Sequence, residues 1–261
     1  MVPQYPRRSA SRATVIQHAR NCLADFGMTA SSLEAVDAVI LCGGLGTRLQ
    51  TVVSDRPKAL APVQGRPFID LLLDELIGQG LRRFILCVGH MQEQIISHLA
   101  ARPGAEILFS REDEPLGTGG AIHHALPLVT SDPFMVLNGD SFCRIDLKGM
   151  LGFHRQSGAA LTLAAAPAGG RRDAGTLRID SSDRLHGFEE KNGLGDSINA
   201  GIYLMDHRIT HDWPAVYPFS LERDVLPDLI SELPCLAFRT LGPVHDIGTP
   251  DRYQSAQNGL P

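Results

Sequence analysis

The sequence predicts an α/β fold: a single-domain, Rossmann-like three-layer sandwich with a mostly parallel central sheet and an added antiparallel part. Three observations lead there. From Asp37 to Asp140 short apolar runs alternate with segments of helical period, the rhythm of a parallel sheet covered on both faces. Polar, glycine-bearing segments fall at the ends of successive runs, where open α/β sheets bind their ligands. Beyond Ala159 strand-like runs crowd together with no helix between them, as antiparallel pairs joined by short turns do.

Residues 1–36 read as an N-terminal extension and residues 37–261 as one domain. The extension carries four Arg and no acid before Asp25. It lacks the apolar segment of a secretory signal; its composition can imitate a transit peptide, but it reads as a loose or helical extension. Asp37–Cys42, closed by Gly43 and Gly44, reads as a buried strand. Pro67–Gly80 reads as a helix with Phe68, Leu71, Leu72, Glu75 and Leu76 on one stripe and Gly78 and Gly80 ending it. Arg82–Gly89, Ala105–Phe109 and Phe134–Asp140 read as the next strands, with helices over Met91–Ala101 and Thr118–Leu126. Ala159–Pro167, Gly175–Asp180, Arg184–Lys191 and Ser197–Met205 read as strands meandering onto the sheet. Helices follow near Leu221–Leu233 and from Pro250.

A chain that is 43% apolar and 20% charged can bury an ordinary core. Its net charge of −5 argues against a nucleic-acid binder. No apolar run nears the ~18 residues of a membrane-spanning helix. The five Cys are scattered, with no C-x-x-C, and suit a reducing, cytoplasmic setting. The His residues show no zinc spacing, and the adjacent His123 and His124 face apart on a helix. Only three of the 24 basic residues are Lys: Lys58, Lys148 and Lys191.

Chemistry concentrates in a few segments. In Gly43-Gly44-Leu45-Gly46-Thr47-Arg48 the glycines let backbone N–H groups approach phosphate oxygens, and Arg48 adds a charged fork. The same residues also read as a tight strand-to-helix turn. Arg56-Pro57-Lys58-Ala59-Leu60-Ala61-Pro62-Val63 follows, with two prolines expected to hold the chain extended around Lys58. Asp140 and Asp246 each close a strand-like run beside glycine. Two such carboxylates suit magnesium, although either also reads as a turn or helix-capping residue.

Taken together, G-G-x-G-T-R-L followed by P-K-x-L-x-P-V resembles the signature of sugar-1-phosphate nucleotidyltransferases, over roughly residues 37–258. The resemblance implies a nucleotidyltransferase fold and a magnesium-dependent transfer of a nucleoside monophosphate from a nucleoside triphosphate to a sugar 1-phosphate, with pyrophosphate released. It gives Arg48 the leaving pyrophosphate and Lys58 the charge between the α-phosphate and the leaving group. It assigns nucleotide contacts to Leu41, Gly43, Gly44, Gly46 and Thr47, and base-loop contacts to Gly117, Thr118 and Gly119. It assigns the sugar phosphate to Asn138, Gly139, Glu190, Lys191 and Asn199, and Mg2+ to Asp140 and Asp246. The Pro-Leu-Gly-Thr-Gly-Gly loop looks most like that of guanylyltransferases for D-glycero-α-D-manno-heptose 1-phosphate. Mannose 1-phosphate guanylyltransferases and N-acetylmuramate 1-phosphate uridylyltransferases share much of the pattern. Asn192 stands where the family often has Pro, which leaves the sugar loop in question, and no hexapeptide-repeat tail follows.

Three rivals stand beside this reading, one of them a cofactor-type nucleotidyltransferase acting on molybdopterin, although the Arg48-to-Lys58 spacing and the later segments fit sugars better. A non-catalytic, nucleotide-sugar-binding regulator would usually have lost a metal Asp or the catalytic Lys, and all are present. A nicotinamide-dependent dehydrogenase calls for an acid after the second strand, where Val88-Gly89-His90 stands instead. The expected partners are the two small substrates, with neither nucleic acid nor membrane; homo-oligomerisation stays open.

Overall fold

The computed structural model describes residues 32–169, 175–189 and 195–260. The described residues ahead of Asp37 also contribute to the core. A 3-10 turn over Leu33–Ala35, whose Glu34 N–H donates to Ser32 Oγ at 3.2 Å, buries Leu33 and Val36 in the core.

Strand β1 (Asp37–Leu41) is an interior strand of the sheet. After it come a two-residue hairpin, β2 (Pro62–Val63) and β3 (Arg66–Pro67), then helix α1 (Phe68–Gln79) and β4 (Arg83–Val88). Helix α2 (Gln92–Leu99), β5 (Glu106–Arg111), helix α3 (Gly117–Ala125) and β6 (Phe134–Asn138) complete the first half. β4 and β6 lie parallel on the two sides of β1, and β5 lies parallel outside β4. The chain thus moves outward from β1 to β5 and returns to the opposite side at β6. That reversal makes the carboxyl ends of β1 and β6 the switch point of the sheet.

Both faces of these strands are covered, which is why they are apolar without alternation. Ala38 and Ile40 face one core, and Val39 faces the other with Ile85, Cys87 and Val136. Helix α1 buries Phe68, Ile69, Leu72, Leu73 and Leu76 and ends where Gly80 adopts φ of 114°. The expected stripe was rotated: Leu71 and Glu75 are only partly buried at its flank. Helix α4 (Leu147–Ser157) was not read from the sequence, though it carries its own signals. Asp146 caps it by accepting from Gly149 N–H at 2.9 Å, Leu147, Met150, Leu151 and His154 form the buried stripe, and Gly158 closes it at φ of 64°.

The second half is antiparallel but not a simple meander. Its strands are β8 (Leu161–Pro167), β9 (Thr176–Ile179), β10 (Leu185–Glu189), β11 (Ser197–Met205) and β12 (Cys235–Arg239), the last absent from the sequence reading. β8 runs along one side of β11. The other side is shared by β9, at Ser197 and Ile198, and β6, at Ile202–Met205. Asn199–Gly201 bridges the interval between them, just beyond the carboxyl end of β6. β10 pairs with β9, and β12 lies parallel to β8. Where one helix was expected near Leu221–Leu233, a π turn over Leu221–Val225 leads into helix α5 (Leu226–Glu232). Pro227 has no N–H to continue a regular ladder backward, which accounts for the irregular turn. Helix α6 (Pro250–Gly259) starts at a Thr249 cap.

The described cysteines, Cys42, Cys87, Cys143 and Cys235, are free and buried. No helix among the described residues is long and apolar enough to cross a membrane.

Candidate active site

Two adjoining cavities, of about 230 and 460 Å3, open beyond the carboxyl ends of β1 and β6. The smaller is lined by Gly44, Gly46, Thr47, Arg48, Lys58, Gly139, Asp140 and Gly248. The larger shares Leu41, Gly44, Gly46, Thr47 and Asp140 with it or its rim and continues to Glu112, Leu116, Gly117, Thr118 and Asn138.

The glycine segment leaves β1 as an irregular loop, not as the start of a helix. Gly43 sits where a Cβ would lie 2.6 Å from Glu112 Oε1, and Gly139 where one would lie 2.5 Å from Cys42 Sγ. Only glycine lets β1, β5 and β6 release their chains this close together. Gly46 has φ of 60°, a left-handed conformation that turns the loop toward Lys58. Arg48 is exposed on the cavity wall and pairs with no carboxylate among the described residues.

The expectation of an extended chain around Lys58 is corrected. Lys58–Leu60 forms a 3-10 turn with Pro57 as its N-terminal cap. Leu60 N–H donates to Pro57 C=O at 2.9 Å and Ala61 N–H to Lys58 C=O at 3.0 Å. Proline fits this position because the first residues of a helical turn need no N–H partner. Burial of Ala59 and Leu60 anchors the turn and leaves Lys58 facing the cavity.

Lys58 Nζ donates to Asp140 Oδ2 in an ion pair, and Asp140 Oδ1 accepts from Ser141 Oγ at 3.1 Å. Two short strands bring the second aspartate alongside: β7 (Ser141–Phe142) pairs with β13 (His245–Asp246), with Asp246 opposite Ser141. Ile247 N–H then donates to Asp140 C=O at 3.0 Å. Asp246 Oδ1 accepts from Gly248 N–H and from Arg252 Nη1, each at 3.0 Å. A Cβ at Gly248 would lie 3.0 Å from Asp246 Oδ1 and 3.5 Å from Lys58 Nζ. Both charged groups therefore face one small space.

The larger cavity has one residue that the sequence reading passed over. Glu112 follows β5 and is only 8% exposed. Burial pushes its carboxyl above the usual carboxylate range, and its contact with Leu116 N–H, at 3.3 Å, only partly offsets this. The signal was an acid directly after an apolar strand and before the glycine loop. Leu45, Pro115, Leu116 and Ala121 give the same cavity apolar walls.

Gly117 (φ of 76°) and Thr118 line this cavity. Gly119 does not reach it: its N–H donates to Phe219 C=O at 3.1 Å, and Phe219 leaves no room for a Cβ. Asn138 reaches the cavity across Gly201, whose φ is 73° and whose Cβ would lie 2.6 Å from Asn138 Nδ2. Asn199 stands apart from both cavities' linings, bonded to Tyr203 and Gly201. Glu190 and Lys191 lie outside the described residues. Cys42 is buried, and burial together with the nearby Asp140 and Glu112 pushes its thiol far above the usual range. His123 Nδ1 bonds Tyr217 Oη at 2.9 Å and His124 Nδ1 bonds Ser110 Oγ at 3.0 Å, and neither residue lines the two cavities.

A family profile described as nucleotidyl transferase matches residues 37–260. The chain is 36% identical, over 86% of its length and 98% of the relative's, to the D-glycero-α-D-manno-heptose 1-phosphate guanylyltransferase of Aneurinibacillus thermoaerophilus. It is 33% identical, over 84% of its length and 62% of the relative's, to the mannose-1-phosphate guanylyltransferase of Mycobacterium tuberculosis. Among solved structures it resembles HddC from Yersinia pseudotuberculosis, with a TM-score of 0.77 and 35% identity over 85% of this chain and 98% of that one. The same protein complexed with GMP-PN superimposes with a TM-score of 0.76 at 34% identity, over 85% and 98% of the two chains. By the profile match and the identity to these relatives, the chain belongs to the nucleotidyl transferase family.

Proposed function

We propose that the chain transfers a guanylyl group from GTP to a heptose 1-phosphate, releasing pyrophosphate and forming a GDP-sugar. The observation that carries the choice of base is Glu112. Guanine offers adjacent N1–H and 2-amino donors, which one carboxylate accepts together. Adenine and uracil set acceptors beside their donors and would meet a buried anion unfavourably. The apolar walls around Glu112 suit a purine ring. The relatives named above support the heptose 1-phosphate acceptor.

A phosphate oxygen of the sugar 1-phosphate attacks the α-phosphorus of GTP. One P–O bond forms as the bond to the β-phosphate oxygen breaks, and pyrophosphate leaves. The attacking group is already an anion, so the protein need not remove a proton. Its work is positioning and neutralising charge. Backbone N–H groups of the Gly43–Thr47 loop hold the triphosphate, and Arg48 holds the β- and γ-phosphates that depart. Lys58 reaches the α-phosphate and the leaving oxygen. Asn138 and Gly139 border the path to the sugar phosphate, and Lys191 contributes the positive charge that meets it.

Asp140 and Asp246 form a hard, all-oxygen donor pair, and no group of three or more metal-binding side chains occurs among the described residues. That set fits Mg2+, which takes one or two carboxylates and completes its shell with phosphates and water. When bound there it neutralises phosphate charge.

The test is pyrophosphate release from GTP, ATP, CTP and UTP, each with heptose, mannose and N-acetylmuramate 1-phosphates and Mg2+. GTP with heptose 1-phosphate should react fastest. A faster reaction with UTP would overturn the assignment of the base, and no reaction in any pairing would overturn the enzyme reading.

A further inference from the structure

Behind the larger cavity a chain of side-chain hydrogen bonds joins segments far apart in sequence. Thr118, at the start of α3, donates through Oγ1 to Glu222 Oε2 at 2.6 Å and accepts from Leu221 N–H at 2.9 Å. Ser220 Oγ donates to the same Oε2 at 3.0 Å. On the other side of Glu222, Tyr203 Oη donates to Oε1 at 3.5 Å, the longest link. Tyr203 is fully buried in the core. Its hydroxyl oxygen accepts from Asn199 Nδ2 at 2.6 Å, and Asn199 Oδ1 accepts from Gly201 N–H at 2.8 Å.

The direction of this chain is fixed at both ends. Glu222 as a carboxylate only accepts, so Tyr203 must point its proton at Glu222 and its lone pairs at Asn199. That makes the NH2 of Asn199 the donor to Tyr203, and the Gly201 N–H makes its oxygen the acceptor. The amide is thereby held in one of its two flips, with one N–H left for another partner. At the opposite end the only proton of the Thr118 hydroxyl goes to Glu222. The Thr118 side chain therefore acts on the loop that borders the base cavity and has no donor left for a nucleotide.

Strand β11 passes Asn138 at Gly201, so Asn199 belongs to the segment that closes the interval between β6 and β9. We propose that Glu222 and Tyr203 are positioning residues that set the Asn199 amide for the sugar through the same hydrogen-bond chain that sets the base loop through Thr118. The proposal rests on the guanylyl-transfer reading for its substrates, but not for the chain of bonds itself.

Two measurements on the full chain test it. In the ligand-free protein the side-chain NH2 resonances of Asn199, assigned by their loss in Asn199→Asp, should shift in Tyr203→Phe and also in Thr118→Val. Thr118→Ser should restore the native positions. A resonance that Thr118→Val leaves unmoved would break the proposed link whatever the enzyme's substrates are. In the kinetic arm, KM for heptose 1-phosphate is measured at saturating GTP and Mg2+. Tyr203→Phe and Thr118→Val should each raise it about tenfold, the effect of one buried hydrogen bond, while kcat changes less than about twofold. The double variant should match either single one, because both cut the same chain. Effects that multiply to about a hundredfold would mean two independent sites and overturn the proposal. If wild-type protein turns over no substrate, the functional reading fails and the resonances alone decide. Should Tyr203→Phe not fold, Thr118→Val and Thr118→Ser still decide.

Discussion

Two buried carboxylates lie at opposite ends of the parallel sheet, and they are used in opposite ways. Asp37 opens β1 and is 3% exposed; Glu112 follows β5 and is 8% exposed. Asp37 Oδ2 accepts from Thr130 N–H at 2.5 Å, Thr130 Oγ1 at 3.0 Å and Ser131 N–H at 3.1 Å, and pairs with Arg83 at 2.8 Å. Burial pushes its carboxyl up, but these partners outweigh it and hold the group below the usual carboxylate range. Glu112 has one 3.3 Å contact among its hydrogen bonds, and burial keeps its carboxyl raised. A carboxylate whose capacity is filled by its own chain fastens the fold. A buried carboxylate with a single donor, on a cavity wall, keeps acceptor capacity for the donors of a ligand.

The largest effect should come from the carboxyl ends. Lys58→Ala should lower kcat by about a thousandfold, the scale of losing a preorganised charge at the reacting group. Its melting temperature should stay close to that of the wild type. Asp37→Ala should do the reverse. It leaves Arg83 and the Thr130 and Ser131 amides without their acceptor and should cost about 3 kcal/mol in urea unfolding, with kcat/KM per folded molecule unchanged. If Asp37→Ala impaired catalysis in folded protein, the division between the two ends of the sheet would fail.

Next in size is Glu112→Gln. Its amide would present a donor to guanine's donors, so kcat/KM for GTP should fall roughly ten- to a hundredfold. The loss should be smaller for UTP, and competition between the two triphosphates reads it directly. The smallest effect is on pH. Because the folded protein raises the Glu112 carboxyl, its contribution to stability is present at low pH and is lost as pH rises through that raised value. The folded protein depresses Asp37, so its contribution is present at neutral pH and is lost as pH falls below the ordinary carboxylate range. Glu112→Gln and Asp37→Asn should therefore change the slope of stability against pH in opposite senses. GTP binding should weaken as Glu112 becomes protonated.

What the sequence made legible was local. The glycine loop, Lys58 between its prolines and the ends of β1 and β6 each lie within a few residues of their own signals. The first four core strands were readable because both faces bury apolar side chains. What stayed hidden depends on partners far along the chain. The two-residue pairing of β7 with β13 is what sets Asp246 beside Asp140, and no periodicity exists in two residues. Glu222 meets Thr118 across 104 positions, and Glu112 owes its place on the cavity wall to the close passage of Gly43. Helix α4 is a different case, since its cap, stripe and closing glycine were all present in the sequence. For β8 and β9, neighbours in sequence that flank opposite sides of β11, the order of strands had to come from the fold.

Asp140 and Asp246, far apart in sequence, are proposed to serve one magnesium ion. The most direct test is the dependence of GTP-driven pyrophosphate release on Mg2+ in wild type, Asp140→Asn, Asp246→Asn and the double variant. Each single substitution should raise the half-saturating Mg2+ by about tenfold or more, and the double variant should cost less than the product of the two. A wild-type magnesium dependence in either single variant would contradict a shared ion.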